Sequence, residues 1–240
     1  MLKNPFAGLR KREWLLWAVS AAVVAASNLL TGAFSPMLLA ATLVGVTALI
    51  FVARGDVWGQ ALTVLFSALY AVTSYQFRYY GEMITYLGMT APIAAMSVVT
   101  WLRHPVEKGK NEVKIHRLSS RETVLMLVLT AAVTFVFYFI LRAFDTPNLG
   151  VSTLSIATSF LASYLTLRRN ACYALAYAAN DIVLIVLWVL ASIEEITYAP
   201  MTVCFGMFLL NDCYGFFSWR AREKEQRRRD DEKLSQEEPC

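Results

Sequence analysis

The 240 residues are 57% hydrophobic and only 17% charged, with a mean hydropathy of +0.48. A soluble domain carries about a quarter charged residues, so this composition excludes an ordinary water-soluble fold and points to lipid as the solvent. The net charge of +4 and the pI near 8.9 suggest a nucleic-acid partner. That reading is rejected, because the basic residues sit at the edges of apolar runs, where membrane orientation already accounts for them.

Eight runs are long and apolar enough to cross an apolar core of about 30 Å with about 20 residues each. In chain order they are Trp14–Leu30, Pro36–Ala53, Val57–Gln76, Glu82–Leu102, Glu122–Leu141, Val151–Leu167, Ala171–Ser192 and Tyr198–Trp219. They are continuously apolar, which predicts helices and argues against alternating barrel strands. The expected fold is an all-α membrane protein with eight transmembrane helices. Lys3, Arg10, Lys11 and Arg12 precede the first run without a small-residue cleavage site, so no cleaved signal is expected. With the N-terminus in the cytoplasm, Lys108 and nearly all other Lys and Arg residues fall on the cytoplasmic side, leaving Arg78 and Arg142 outside. That bias fits the positive-inside rule for an even number of spans and puts both termini in the cytoplasm.

Between the spans the chain offers little chemistry. The segment 104–121 is expected to be a solvated cytoplasmic hinge, and the charged tail 220–240 a frayed helix or disordered chain. Cys172, Cys204, Cys213 and Cys240 form no CxxC pair, and His104 and His116 both lie in the cytoplasmic segment. No metal cluster, phosphate loop or nucleophile elbow is present, so neither a cofactor nor an enzymatic reaction is expected.

A weak internal repeat organises the spans. Helices two to four end in Thr100-Trp101-Leu102-Arg103, and helices six to eight end in Ser218-Trp219-Arg220. Arg54 and Trp58 align with Arg169 and Tyr173, and Tyr79-Tyr80-Gly81-Glu82 with Glu195-Ile196-Thr197-Tyr198. Two parallel triplets then require the intervening helix to restore direction, an arrangement known in carriers that bind solute near the midplane. The expected divisions are an N-terminal stretch 1–13, an extra helix 14–30, a first bundle 36–103, the segment 104–121, a linker helix 122–142, a second bundle 150–219 and the tail.

Ionisable and amide groups are costly in lipid and mark functional sites by default. Tyr173, Tyr177, Asn180, Asp181 and Trp188 share a broad face of the seventh run at helical spacing. Their rings and polar edges suit a planar solute with polar substituents. Gln60 and Thr63 are lining candidates on the third run, where Ser67 and Ser74 are read as packing hydroxyls. Glu82, Tyr86 and Thr90 join from the fourth run, with Pro92 as a kink that serves a gate or cavity wall. Of Asn211 and Asp212 on the last run, Asn211 is the expected lining residue. The competing use of Asp181, fixing helix register through a tyrosine hydroxyl, stays open.

Arg54-Gly55-Asp56, Tyr79 to Met83, the run Tyr173 to Asp181 and the run Asn211 to Trp219 resemble the PnuC family of nicotinamide riboside transporters over nearly the whole chain. The resemblance implies a SWEET-like fold, a homotrimer in the bacterial inner membrane, and facilitated diffusion of nicotinamide riboside. It also implies trapping of the solute by a separate intracellular nicotinamide riboside kinase. Asp181 keeps the family's polar position and Tyr177 an aromatic one, whereas Ala174 stands where a tryptophan is common. Carriers for thiamine, riboflavin or another nucleoside, a non-transporting receptor and an intramembrane enzyme are the alternatives.

Overall fold

A computed structural model describes residues 4–31, 34–107 and 110–237; Lys3, Lys108 and Cys240 lie outside them. The described chain forms eight long helices: α1 Lys11–Leu30, α2 Pro36–Ala53, α3 Val57–Gln76, α4 Tyr80–Arg103, α5 Ser120–Ala143, α6 Leu149–Leu167, α7 Tyr173–Glu194 and α8 Ala199–Glu237. By length and composition, α1 to α7 are each able to cross a membrane. The last helix starts apolar but carries Asn211 and Asp212 and then the charged tail. The apolar runs thus become helices close to their expected bounds, and α2 and α3 match them residue for residue.

Local chemistry sets the helix starts. Ser35 Oγ accepts from the Leu38 N–H at 3.3 Å ahead of Pro36, whose missing N–H is harmless in a first turn. Asp56 Oδ1 accepts from Trp58 N at 3.0 Å, and Ser119 and Glu122 form a reciprocal capping box. Inside α4, residues Tyr86–Thr90 form a wide π turn, in which Ala91 N–H bonds to the Tyr86 carbonyl. Pro92 follows directly; the wide turn accommodates the N–H that proline lacks.

Helices α2, α3 and α4 pack as one set and α6, α7 and α8 as another, while α1 lies on α2 and α8. The α5 helix touches mainly α6 and is only 11% buried, so most of its apolar surface faces outward.

The two sets make equivalent bonds. Trp101 Nε1 donates to the Thr166 carbonyl at 3.0 Å, and Trp219 Nε1 donates to the Val52 carbonyl at 2.9 Å. Each indole therefore closes the last helix of one set onto the first helix of the other. One sequence interval separates Val52 from Thr166, Gly55 from Arg169 and Asp56 from Asn170. Gly55 and Arg169 are both left-handed (φ 70° and 57°), and Asn170 Oδ1 caps Cys172 N at 2.9 Å as Asp56 caps Trp58. The expected alignment of Arg54 with Arg169 and Trp58 with Tyr173 is thus one residue out of register, because it matched charge and aromaticity rather than the turn.

Segment 104–121 is not the solvated hinge expected. Val113 N–H bonds to the Gly55 carbonyl at 2.9 Å and His116 N–H to the Arg169 carbonyl at 3.0 Å, so the segment straps both left-handed turns. Burial and the neighbouring Arg168 and Arg169 hold the His116 imidazole below its usual pKa. Of the two alternatives for the tail, the helix is the one found. It continues α8 to Glu237, and its Arg222, Glu223 and Asp230 pair with Glu112 (2.9 Å), Arg117 (2.6 Å) and Lys114 (3.3 Å) of the strap. Isolated surface pairs contribute little, but a network laid along one helix also supplies the fixed geometry that single pairs lack.

Trp101→Phe and Trp219→Phe each remove one buried indole hydrogen bond, a loss on the order of 0.5–1.5 kcal/mol, while the Thr166 and Val52 carbonyls keep the backbone N–H groups of Arg169 and Gly55. Both variants are expected to lower the thermal unfolding midpoint in detergent by similar amounts. An unchanged midpoint in either would remove the equivalence of the two contacts.

Candidate functional site

A narrow cleft lies between the two helix sets. Its cavity volume is only about 50 Å³. Helix α2 supplies Gly45, Ala48, Leu49 and Val52, and α3 supplies Gln60, Thr63 and Phe66. Tyr86 and Thr90 come from the π turn, Ser159 from α6, Tyr177, Asn180 and Asp181 from α7, and Phe205, Phe208 and Asp212 from α8. The lining follows the repeat, since the interval that relates the turns also relates Gly45 to Ser159, Thr63 to Tyr177 and Phe66 to Asn180.

Of the residues singled out in the sequence, Gln60, Thr63, Tyr86, Thr90, Tyr177, Asn180 and Asp181 reach this cleft. The π turn beside Pro92 places two of them, Tyr86 and Thr90, on its wall. Asn180 Oδ1 accepts from Thr158 Oγ1 at 2.8 Å, which fixes the amide plane and leaves its N–H donors for the cleft. The Tyr177 hydroxyl is in hydrogen-bond contact with Ser163 at 3.2 Å. Thr63 Oγ1 donates to its own helix at Gly59 and keeps only its lone pairs. Two lining atoms, Asp181 Oδ2 and Thr90 Oγ1, are buried with no hydrogen-bond partner.

Four expected residues lie elsewhere. Tyr173 packs on Trp219 with ring centroids 4.6 Å apart, at the end of the molecule that carries the strap. Trp188 belongs to the opposite end, where it stacks on Tyr79 at 4.8 Å and donates from Nε1 to the Tyr70 hydroxyl at 3.1 Å. Both share the face of Asp181 but not its depth; at 1.5 Å per residue they stand roughly 12 and 10 Å along the helix axis from it. Glu82 is buried near Trp188 and accepts from Tyr70 and Ser155 hydroxyls, each at 3.4 Å, so it joins the sets at the wall rather than lining the cleft. Asn211 faces α1, donating to Ser20 Oγ at 2.9 Å and to the Met207 carbonyl at 2.7 Å.

The sequence reading missed Asp212, which takes the place expected of Asn211. Its carboxyl stands within hydrogen-bond reach of Asp181 across α7 and α8. Phe205, Phe208 and Asp212 recur at helical spacing, and that phase was the available signal. Among the described residues, no lysine, arginine or histidine lines the cleft, and no cluster of potential metal ligands exists.

Residues 35–221 match the family model described as nicotinamide mononucleotide transporter. The chain belongs to this family. It is a multi-pass membrane transporter of the PnuC type rather than an enzyme. The match starts just before α2 and stops just past Trp219, so it spans both helix sets and omits α1 and most of the tail. A nicotinamide riboside transporter PnuC from Neisseria mucosa is 27% identical over 183 residues, covering 75% of this chain and 70% of that one. The crystal structure of the vitamin B3 transporter PnuC superimposes with a TM-score of 0.79 over 91% of this chain and 94% of the other. At 22% identity, this likeness establishes the shared fold.

A methyl group added at Gly45 would meet Phe208 Cζ at 2.4 Å and Phe66 Cδ2 at 3.1 Å. The Phe208 ring, which lines the cleft, must then shift. Gly45→Ala is expected to insert and purify normally yet to lose solute uptake several-fold in proteoliposomes; wild-type uptake would show that this cleft is not on the transport path.

Proposed function

We propose that the chain carries nicotinamide riboside across the bacterial inner membrane through the cleft between its two helix sets. The family model names a mononucleotide and the Neisseria mucosa relative a riboside, and these solutes differ by a phosphate. One observation favours the riboside: the cleft presents the carboxyls of Asp181 and Asp212 and, among its lining residues, no base. A phosphate dianion placed there would meet like charge with nothing to pair it, whereas the riboside's pyridinium ring is a cation. Asn180 suits the amide or the ribose, and Tyr177 and Tyr86 offer ring faces for the cation, each worth about 0.5–2 kcal/mol.

Water-accessible space of about 50 Å³ holds a few waters at most and is too small for a nucleoside. In this proposal the two helix sets rock apart on one side at a time, as in other carriers built from parallel repeats. Eight spans in a SWEET-like order, with both termini in the cytoplasm, complete the reading, and the solute gradient drives net flux. A homotrimer, and an intracellular nicotinamide riboside kinase that retains the solute, belong to the same proposal. The outward apolar surface of α5 is compatible with either lipid or a second subunit.

The test is uptake of labelled nicotinamide riboside into proteoliposomes, with nicotinamide mononucleotide, thiamine and riboflavin as competitors. Strong competition by unlabelled riboside and none by the mononucleotide is expected; preferential uptake of the mononucleotide would overturn the assignment. Asn180→Ala and Asp181→Ala are expected to abolish specific binding by the purified, correctly assembled protein. Unchanged riboside affinity in both would remove these residues from the site.

A further inference from the structure

We propose that Thr158, which stands outside the lining of the cleft, fixes the polarity of Asn180 and thereby selects a cationic ring that carries a carbonyl group. The inference rests on the carrier reading above and concerns the specificity of the same cleft. Among the described residues, three asparagines are buried in the long helices: Asn28, Asn180 and Asn211. Asn28 and Asn211 turn the amide nitrogen back onto their own helix. They donate to the Val24 and Met207 carbonyls at 2.8 and 2.7 Å, and each leaves Oδ1 without a partner. Asn180 is the reverse. Its Oδ1 accepts from Thr158 Oγ1 at 2.8 Å, and none of the described residues takes its Nδ2 hydrogens.

Thr158 has one hydroxyl proton and three acceptors within reach. The Leu154 and Ser155 carbonyls of its own helix lie at 3.1 Å, so Asn180 Oδ1 is the nearest. Donation from α6 across to α7 holds the amide oxygen toward Thr158 and leaves both N–H donors for the cleft. These donors adjoin Asp181 on α7, so a ring drawn to the carboxyls lies beside them. A ribose hydroxyl can donate or accept, and can turn to a carboxyl instead. A carbonyl on the ring only accepts, and needs a donor of this kind. A ring without the carbonyl leaves the buried N–H groups unpaired, which penalises it. Without the Thr158 hydroxyl, the Asn180 nitrogen is released to bond its own helix, as in Asn28 and Asn211. The first helix set has no such device, because the interval of the repeat relates Asn180 to Phe66 and Thr158 to Val44. Thr158 is therefore a positioning residue that acts through Asn180.

The experiment is calorimetric titration of the purified full-length protein with nicotinamide riboside and with pyridine riboside, the same cation without the carboxamide. The wild type should bind nicotinamide riboside about tenfold more tightly than pyridine riboside. Thr158→Val keeps the shape of the side chain and removes the hydroxyl. It should bind nicotinamide riboside about tenfold more weakly than the wild type does, with the affinity for pyridine riboside unmoved. Thr158→Ser keeps the hydroxyl and should keep the preference. Equal weakening of both solutes in Thr158→Val marks a purely structural role and overturns the inference, as does a preference that survives in that variant. Equal binding of the two solutes by the wild type overturns it without any variant and leaves the carrier reading intact. Absence of nicotinamide riboside binding by the wild type overturns the carrier reading, and the role of Thr158 with it.

Discussion

The architecture depends on two indole N–H groups, each crossing from the last helix of one set to a carbonyl near the end of the first helix of the other. Lipid offers no hydrogen bonds and little hydrophobic drive between helices, so association must come from close packing and from polar groups that find partners in the protein. Trp101 and Trp219 supply both. They are almost fully buried, stack at 5.6 Å from one another, and use their only donors on Thr166 and Val52. Just beyond those carbonyls the chain turns left-handed, and the strap from 104 to 119 bonds to both turns. The same end of the molecule thus gains two crossings in the helices and two in the backbone, while the cleft lies deeper between the sets.

Most of the fold was legible because lipid imposes one simple code. A spanning segment must satisfy its own backbone, so a continuous apolar run of sufficient length is a helix whatever surrounds it. That code says nothing about segments outside the bilayer. The strap looked like a hinge because its attachments to the two turns are backbone bonds, to carbonyls that no side-chain pattern announces. Gly55 hinted at a left-handed turn, but its counterpart is Arg169, which carries no such signature and so hid the register of the repeat. The tail was read as a frayed helix or disordered chain because its charges were counted along the chain. In the fold they pair at helical spacing and across to the strap, as with Arg228 to Glu225 and Arg229 to Glu107.

The candidate site was legible in type more than in membership. Asn180 and Asp181 stand out because carboxyl and amide groups within apolar runs need a reason to be there. Helical spacing then grouped Tyr173 and Trp188 with them, yet spacing fixes a face and leaves depth open. Those two rings belong to aromatic layers at opposite ends. The choice between Asn211 and Asp212 turned on helical phase, which Asp212 shares with Phe205 and Phe208 on the cleft face of α8. The deciding neighbour is α1, whose Ser20 accepts from Asn211 and leaves Asp212 to face Asp181. The apolar walls had no signal at all: Gly45, Ala48, Leu49 and Val52 are ordinary residues in an ordinary apolar helix.

The repeat makes the frame symmetric and leaves the chemistry uneven. Gly45 answers to Ser159, Phe66 to Asn180 and Thr63 to Tyr177, so equivalent positions line both sides of the cleft. The carboxyl pair, however, comes wholly from the second set. Asp181 and Asp212 sit on adjacent helices that pack together, and rocking of one set against the other would not part them. In the proposed cycle the charge that recognises the solute stays assembled while α2, α3 and the π turn act as the moving wall. That wall is built from glycine, alanine and aromatic rings around Gln60, Thr63 and Thr90, and so can close over an apolar ring face without offering a second ionic partner. A carrier must bind firmly enough to select and loosely enough to release. Confining the charged contact to one wall meets both needs, because withdrawal of the other wall admits water to the pair before any ionic bond has to be broken.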